Sequence, residues 1–329
     1  MSAAMNGGAR FRLAAVVVTH NRLDKLRVTV ARLLAEPLDH LVVVDNASSD
    51  GTGDWLRAQD DPRLVAILSD VNAGGAGGFE AGLRAAMERF DPDWVLLTDD
   101  DGRPEPGALA AFRAADLSGW DGVAAAVRFP DGRICDMNRP VLNPFWHPRV
   151  FLRTALGGGR AAFHLAEADF AAPGPGAVDG ASFVGLFLSR AAVARAGYPD
   201  GRLFIYGDDG LYTLGLTLAG GRIGFFPGLR FEHDCLTFGA ASGGSGGRFA
   251  PLGKVYYYHR NLLFMYRLAA GWLFWPALAV VLPKWLSKAR HHPGDRRAFL
   301  RLMGAAIRDG LMGRSHRPHA EIRALAGAG

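Results

Sequence analysis

Two cysteines, Cys135 and Cys235, are the only thiols in 329 residues, and they form no Cys-x-x-Cys pattern. They supply no disulfide framework, and reduced thiols in a cytosolic compartment are expected. No secretory leader is expected either. The first apolar run, 13–18, is too short for a signal core and leads straight into Thr19-His20-Asn21-Arg22, so it reads as the first strand. The stretch 268–283 is uncharged for sixteen residues, short of the roughly 20 apolar residues that span a bilayer, and Pro276 interrupts it. Charged residues are sparse, at 21% against 49% apolar. That composition excludes extended disorder and fits one large or two ordinary domains.

Net positive charge is missing from most of the chain. From residue 248 onward fourteen Lys and Arg face Asp295, Asp309 and Glu321, a net of +11, whereas the first 247 residues hold 23 basic and 29 acidic side chains, a net of −6. Nucleic-acid binding is disfavoured, because no stacking or groove-reading motif accompanies the basic tail. Beside that tail stand Trp272, Trp275 and Pro276, followed by Lys284, Lys288 and Arg290. The pairing predicts an interfacial or re-entrant helix at an anionic membrane surface, with a buried C-terminal core helix as the alternative.

What the chain does have is an apolar run, Asp93-Trp94-Val95-Leu96-Leu97-Thr98, that ends in Asp99-Asp100-Asp101-Gly102. Such a run reads as a buried strand of a parallel sheet, and ligands of open α/β sheets sit beyond the carboxyl ends of their strands. Three like charges there repel one another, so a divalent cation is the natural neutraliser. Oxygen ligands suit Mg²⁺ or Mn²⁺ bridging a diphosphate.

Upstream, strand and helix signals alternate. Strands are predicted at 12–19, 40–44, 64–68 and 94–97, and helices at 23–35, 54–58 and 77–90. Repeated βαβ units imply a mostly parallel sheet with helices on both faces, an α/β nucleotide-binding architecture. Residues 135–175 break the rhythm and read as an insertion near the acceptor pocket or a plain connection. Gly, Ala and Ser at 239–247 read as a flexible linker. The expected organisation is therefore a catalytic domain at 1–238 and a basic, partly apolar helical region at 248–329.

Three further patterns bear on chemistry. Val44-Asp45-Asn46 places a carboxylate at a strand end, where it can accept hydrogen bonds from a base or a ribose. Asn72-Ala73-Gly74-Gly75-Ala76-Gly77-Gly78-Phe79 opens a helix with glycines that let backbone N–H groups approach a phosphate or sugar. The spacing fails the dinucleotide fingerprint, since Glu80 stands where the third glycine after Gly75 and Gly77 is required, and a nicotinamide enzyme is disfavoured. Gly207-Asp208-Asp209 follows another apolar run, and His233 follows a predicted strand at 222–226. Carboxylates on a metal beside free carboxylates divide the work of electrophile and general base.

Taken in order, Thr19 to Arg22, Val44-Asp45-Asn46, Asn72 to Phe79, Asp99 to Asp101, Gly207-Asp208-Asp209 and His233 resemble the GT-A glycosyltransferases of family 2, over residues 11 to about 270. The resemblance is closest to galactofuranosyltransferases and their rhamnosyltransferase relatives. It implies a GT-A fold and an inverting, metal-dependent sugar transfer from UDP-galactofuranose or, alternatively, dTDP-rhamnose, to a lipid-linked glycan. A catalytically dead scaffold is the alternative of another kind. By this likeness Asp99, Asp101 and His233 hold Mn²⁺ or Mg²⁺. Asp45 reads the nucleotide, with Thr19, Asn21, Arg22, Asn72, Gly74, Gly75, Gly77, Gly78 and Asp100 around the donor. Asp209 is the base, with Asp208 beside it. The sequence departs from the family pattern at Gly207, Asp208, Leu211 and Gly215, around the base. The implied location is peripheral, on the cytoplasmic face of the inner membrane.

Overall fold

The computed structural model describes residues 11–235 and 248–327; the linker expected at 239–247 lies outside them. Among the described residues, nine strands form one mixed sheet: β1 (Leu13–Thr19), β2 (His40–Asp45), β3 (Leu64–Leu68), β4 (Trp94–Asp99), β5 (Gly102–Pro104), β6 (Gly122–Arg128), β7 (Gly176–Val178), β8 (Leu186–Ser189) and β9 (Ile223–His233). The order is β3-β2-β1-β4-β8-β6-β9-β5, with β7 also on β9. The first four strands are parallel, β8 runs antiparallel between β4 and β6, and β9 returns parallel to β6.

Alternation of apolar side chains explains why both faces are covered. Leu13, Ala15, Val17, Leu41, Val43 and Leu96 point to one face, against α1 (Leu23–Leu34) and α4 (Ala108–Ala114). Their neighbours Ala14, Val16, Val42, Val44, Val95 and Leu97 point to the other. There they meet α3 (Gly74–Phe90) and, further along, α7 (Arg190–Ala196) and α8 (Asp208–Leu218). A period of two along each strand leaves no polar face, as a doubly covered sheet requires. Short helices α2 (Thr52–Arg57), α5 (Pro148–Arg153) and α6 (Glu167–Phe170) fill the connections.

The C-terminal region is helical: α9 (Lys254–Ala270), α10 (Phe274–Ser287), α11 (Arg296–Leu311) and α12 (His319–Ala326). These helices share a core of their own, which Phe204 and Ile205 join from the catalytic side. The stretch Lys254–His291 has the length and apolar composition to cross a membrane. It is broken at Gly271, whose φ is 53°. One face of α10 buries Phe274, Leu278 and Trp285, while Trp272 and Trp275 are 85% and 64% exposed. One side of this segment thus packs on the C-terminal core while another side is exposed. Of the cations expected at a surface, Lys284 and Arg290 are exposed. Lys288 instead lies over the rings of Phe249 and Tyr258.

Candidate active site

Strand register brings the carboxylates together. Val18 pairs with Asp99 and Thr19 with Asp45, so the carboxyl ends of β1, β2 and β4 finish at one level. The chain then turns through Asp100 and Asp101 into β5, which pairs antiparallel with β9 so that Gly102 faces His233. This pairing delivers His233 to Asp101. Its Nε2 lies 3.1 Å from Asp101 Oδ1, and both residues are buried.

Asp99, Asp101 and His233 each offer one ligand atom, all within 4.8 Å of one another. Two carboxylates and an imidazole are a donor set for Mg²⁺ or Mn²⁺, and the fit is good. The ring is oriented from behind. Asn138 Nδ2 donates to Ser182 Oγ at 2.8 Å, which leaves Asn138 Oδ1 to accept from His233 Nδ1 at 2.7 Å. Nε2 is therefore the nitrogen presented to the carboxylates, as an outer partner of a metal-binding histidine arranges.

Asp100 faces elsewhere. It accepts from Thr19 Oγ1 at 2.8 Å and from Arg22 Nη1 at 3.0 Å, while its carbonyl accepts from Thr29 Oγ1. Arg22 also reaches Asp101 Oδ2 at 2.6 Å. Burial pushes Asp99 up to about 7, with Asp101's charge adding to it, and pushes Asp100 up to about 6 despite Arg22. Burial acts upward on Asp101 as well, but hydrogen bonds and charge from His233 and Arg22 win and hold it at about 2. For His233 burial acts downward, yet Asp101 and the Cys235 thiol raise it to about 10.

The second carboxylate pair opens α8. Gly207, with φ 73°, precedes Asp208 and Asp209 in its first turn, where the helix dipole favours anions. Burial raises both carboxyls, Asp208 to about 8 with Asp209's charge adding. The charge of Asp209 also acts upward on Asp99, and that of Asp99 on Asp208, so the two clusters influence each other electrostatically.

The residues expected around the donor separate into two kinds. Asp45 is buried and accepts from Ser48 N, while Asn21 Oδ1 accepts from Ser49 N at 2.7 Å. Asn72 Oδ1 accepts from Gly74 N, and Asn46, a residue named in the motif but given no role, bonds Gly74 O and Ala73 N with its amide. Gly74 and Gly78 are consumed by packing. A Cβ at Gly74 would lie 2.0 Å from Phe204 O, and one at Gly78 would lie 2.4 Å from Val18 Cγ1. Gly77 is crowded by Ala73, whereas Gly75 has open space around it.

Sequence reasoning missed three partners of His233, namely Asn138, Cys135 and Cys235. Asn138 carries no pattern that would single it out. Cys135 and Cys235, a hundred residues apart, converge on the same imidazole, with Cys135 Sγ 3.8 Å from Nδ1. The hydrogen bond with Cys235 and burial push the Cys135 thiol up.

Comparison with known proteins gives a consistent picture. Residues 14–158 match the glycosyl transferase family 2 profile. A galactofuranosyltransferase of Mycobacterium tuberculosis is 32% identical over 227 residues, 67% of this chain and 69% of that protein. An undecaprenyl-phosphate mannosyltransferase of Micrococcus luteus is 33% identical over 169 residues, 48% of this chain and 67% of that one. Among solved structures, a mannosyltransferase of Pyrobaculum calidifontis in complex with GDP-mannose and Mn²⁺ matches with a TM-score of 0.52 at 17% identity, over 97% of this chain and 86% of that one.

Proposed function

Because this chain belongs to glycosyl transferase family 2, we propose that it is an inverting galactofuranosyltransferase that uses UDP-galactofuranose and a lipid-linked glycan acceptor. That it is a glycosyltransferase with a GT-A fold follows from its relatives and its architecture. The donor is argued from the glycine-rich opening of α3 and from the galactofuranosyltransferase relative. The single observation that carries the mechanism is the convergence of Asp99, Asp101 and His233 within 4.8 Å of one another, and the Asp208–Asp209 pair, which interacts electrostatically with Asp99, is read as its acid–base partner.

Asp209 accepts the proton of the acceptor hydroxyl. The freed oxygen attacks the anomeric carbon on the face opposite the diphosphate, whose C–O electron pair leaves with the nucleotide. Asp208, pushed to about 8, keeps a proton at neutral pH, and burial raises Asp209 in the same direction, as suits a carboxylate that must take up a proton. Asp99, Asp101 and His233 would hold Mn²⁺ or Mg²⁺, whose charge supplies electrophilic stabilisation of the departing diphosphate. Asp45 and Gly75 border the donor, and no covalent enzyme intermediate is needed.

Exposed Trp272 and Trp275, with Lys284 and Arg290 near them, suit an anionic bilayer surface. A peripheral position on the cytoplasmic face would place the site beside a lipid-linked acceptor. The test is a donor panel, UDP-galactofuranose, dTDP-rhamnose, GDP-mannose and UDP-glucose, each with and without Mn²⁺. Preferential turnover of UDP-galactofuranose supports the reading, and preference for another donor overturns it.

A further inference from the structure

We propose that Asn261, with Arg260 beside it, is a positioning residue for the Asp208–Asp209 pair: it clamps the loop that delivers the pair from the C-terminal helix α9. The inference rests on the reading of Asp209 as the proton acceptor.

The loop is held in a conformation that its own residues disfavour. After the turn at Gly201–Leu203, Phe204 and Tyr206 have φ of 69° and 70°, and Gly207 follows at 73°. Side chains with a Cβ seldom occupy that region, and only surrounding structure keeps them there. Asn261 supplies much of that structure. Its Nδ2 faces the carbonyls of Leu203, Ile205 and Tyr206 at 3.2, 3.0 and 2.7 Å, so one amide spans the whole loop up to the residue before the helix cap.

Arg260 fixes the clamp itself. Its Nε donates to Asn261 Oδ1 at 2.8 Å, which settles which end of the amide faces the loop. Its Nη2 adds a second bond to Leu203 O at 2.8 Å, and its Nη1 reaches Ser315 O at 2.6 Å. Both side chains are wholly buried, where an unmet donor is costly. On the opposite side, Phe204 O accepts from Ala76 N and Gly201 N donates to Glu80, both on the donor-side helix α3. Loop 201–207 is thus gripped between the glycine-rich helix and α9.

The test uses the full chain with Asn261→Ser and, keeping the shape, Asn261→Asp. Hydrogen–deuterium exchange of peptides covering 203–210 should quicken in both variants, while 13–19 and 94–99 stay protected. Turnover should fall by about 10- to 100-fold with the donor KM within about threefold, the pattern of lost alignment rather than lost binding. Unchanged turnover with a loosened loop overturns the proposal, and so does lost turnover with unchanged exchange. If neither variant folds, the wild-type chain decides. Exchange at 203–205 as slow as in α9 supports the clamp, and exchange as fast as in an open loop overturns it. Asp208→Asn and Asp209→Asn, assayed alongside, separate the two readings: full turnover in both sinks the assignment of the base, while the exchange data still score the clamp.

Discussion

Arg22 Nη2 lies 2.6 Å from Asp101 Oδ2 and its Nη1 lies 3.0 Å from Asp100 Oδ1, so one guanidinium neutralises two adjacent buried carboxylates. It therefore holds an oxygen that a cation would also seek. Arg22→Gln should weaken the metal-free fold by about 1–3 kcal/mol, the range for charged hydrogen bonds. The same change should tighten Mn²⁺ binding severalfold. Calorimetric titration of Mn²⁺ and melting in EDTA read the two effects separately, and weaker Mn²⁺ binding would show that Arg22 prepares the site rather than competes for it.

Stability should depend on pH in opposite senses with and without metal. Asp99 at about 7 and Asp208 at about 8 hold protons in the folded chain where unfolded carboxyls have lost theirs. The metal-free fold therefore loses stability as pH rises through that range, and His233, raised to about 10, continues the trend. Asp101, held at about 2, acts oppositely, but only in acid: its contribution is lost as pH falls toward that value. Metal binding requires deprotonated ligands and strengthens with pH. The gap in Tm between Mn²⁺ and EDTA should widen from about pH 5.5 to about pH 8, and a gap that narrows contradicts the assignment.

Asp209→Asn keeps the shape of the side chain but cannot accept a proton. Transfer should fall by roughly 10²- to 10⁴-fold with donor affinity nearly retained, and Asp208→Asn should cost less. The reverse order in single-turnover assays would move the base to Asp208.

Much of the framework was legible because it rests on local pattern. Strands at 64–68 and 40–44 and the helix at 23–35 agree with the structure to within a residue or so, since apolar period and turn residues decide them. The helix expected at 77–90 starts at Gly74, where Asn46 and Asn72 bind a glycine turn that propensity alone opposes. The meeting of Asp101 with His233 spans 132 positions and depends on a three-residue strand, β5, that contains a proline and has no readable signature. Arg260 and Asn261 did leave a mark: two polar residues inside a largely apolar helix call for partners. Their partners lie some 55 residues away in a loop where two of the left-handed residues, Phe204 and Tyr206, are not glycine.

Trp272 and Trp275 should mediate attachment to lipid. Each basic side chain near an anionic surface adds about 1 kcal/mol and is screened by salt, whereas inserted indoles are not. Co-sedimentation with anionic vesicles should decline when both tryptophans are changed to alanine, and salt should reduce recovery only in part for the unaltered chain. Equal recovery in the supernatant for both proteins, with anionic and with neutral vesicles, would assign these indoles no membrane role.

The most direct test of the account is transfer from UDP-galactofuranose by metal-stripped protein titrated with Mn²⁺. Activity should return as about one ion binds per chain, and Asp99→Asn and Asp101→Asn should bind poorly and stay inactive. Asp100→Asn should bind Mn²⁺ and lose stability instead, because its oxygens serve Thr19 and Arg22. Full transfer in excess EDTA, or undiminished Mn²⁺ binding by Asp99→Asn and Asp101→Asn, would contradict a metal centre at Asp99, Asp101 and His233.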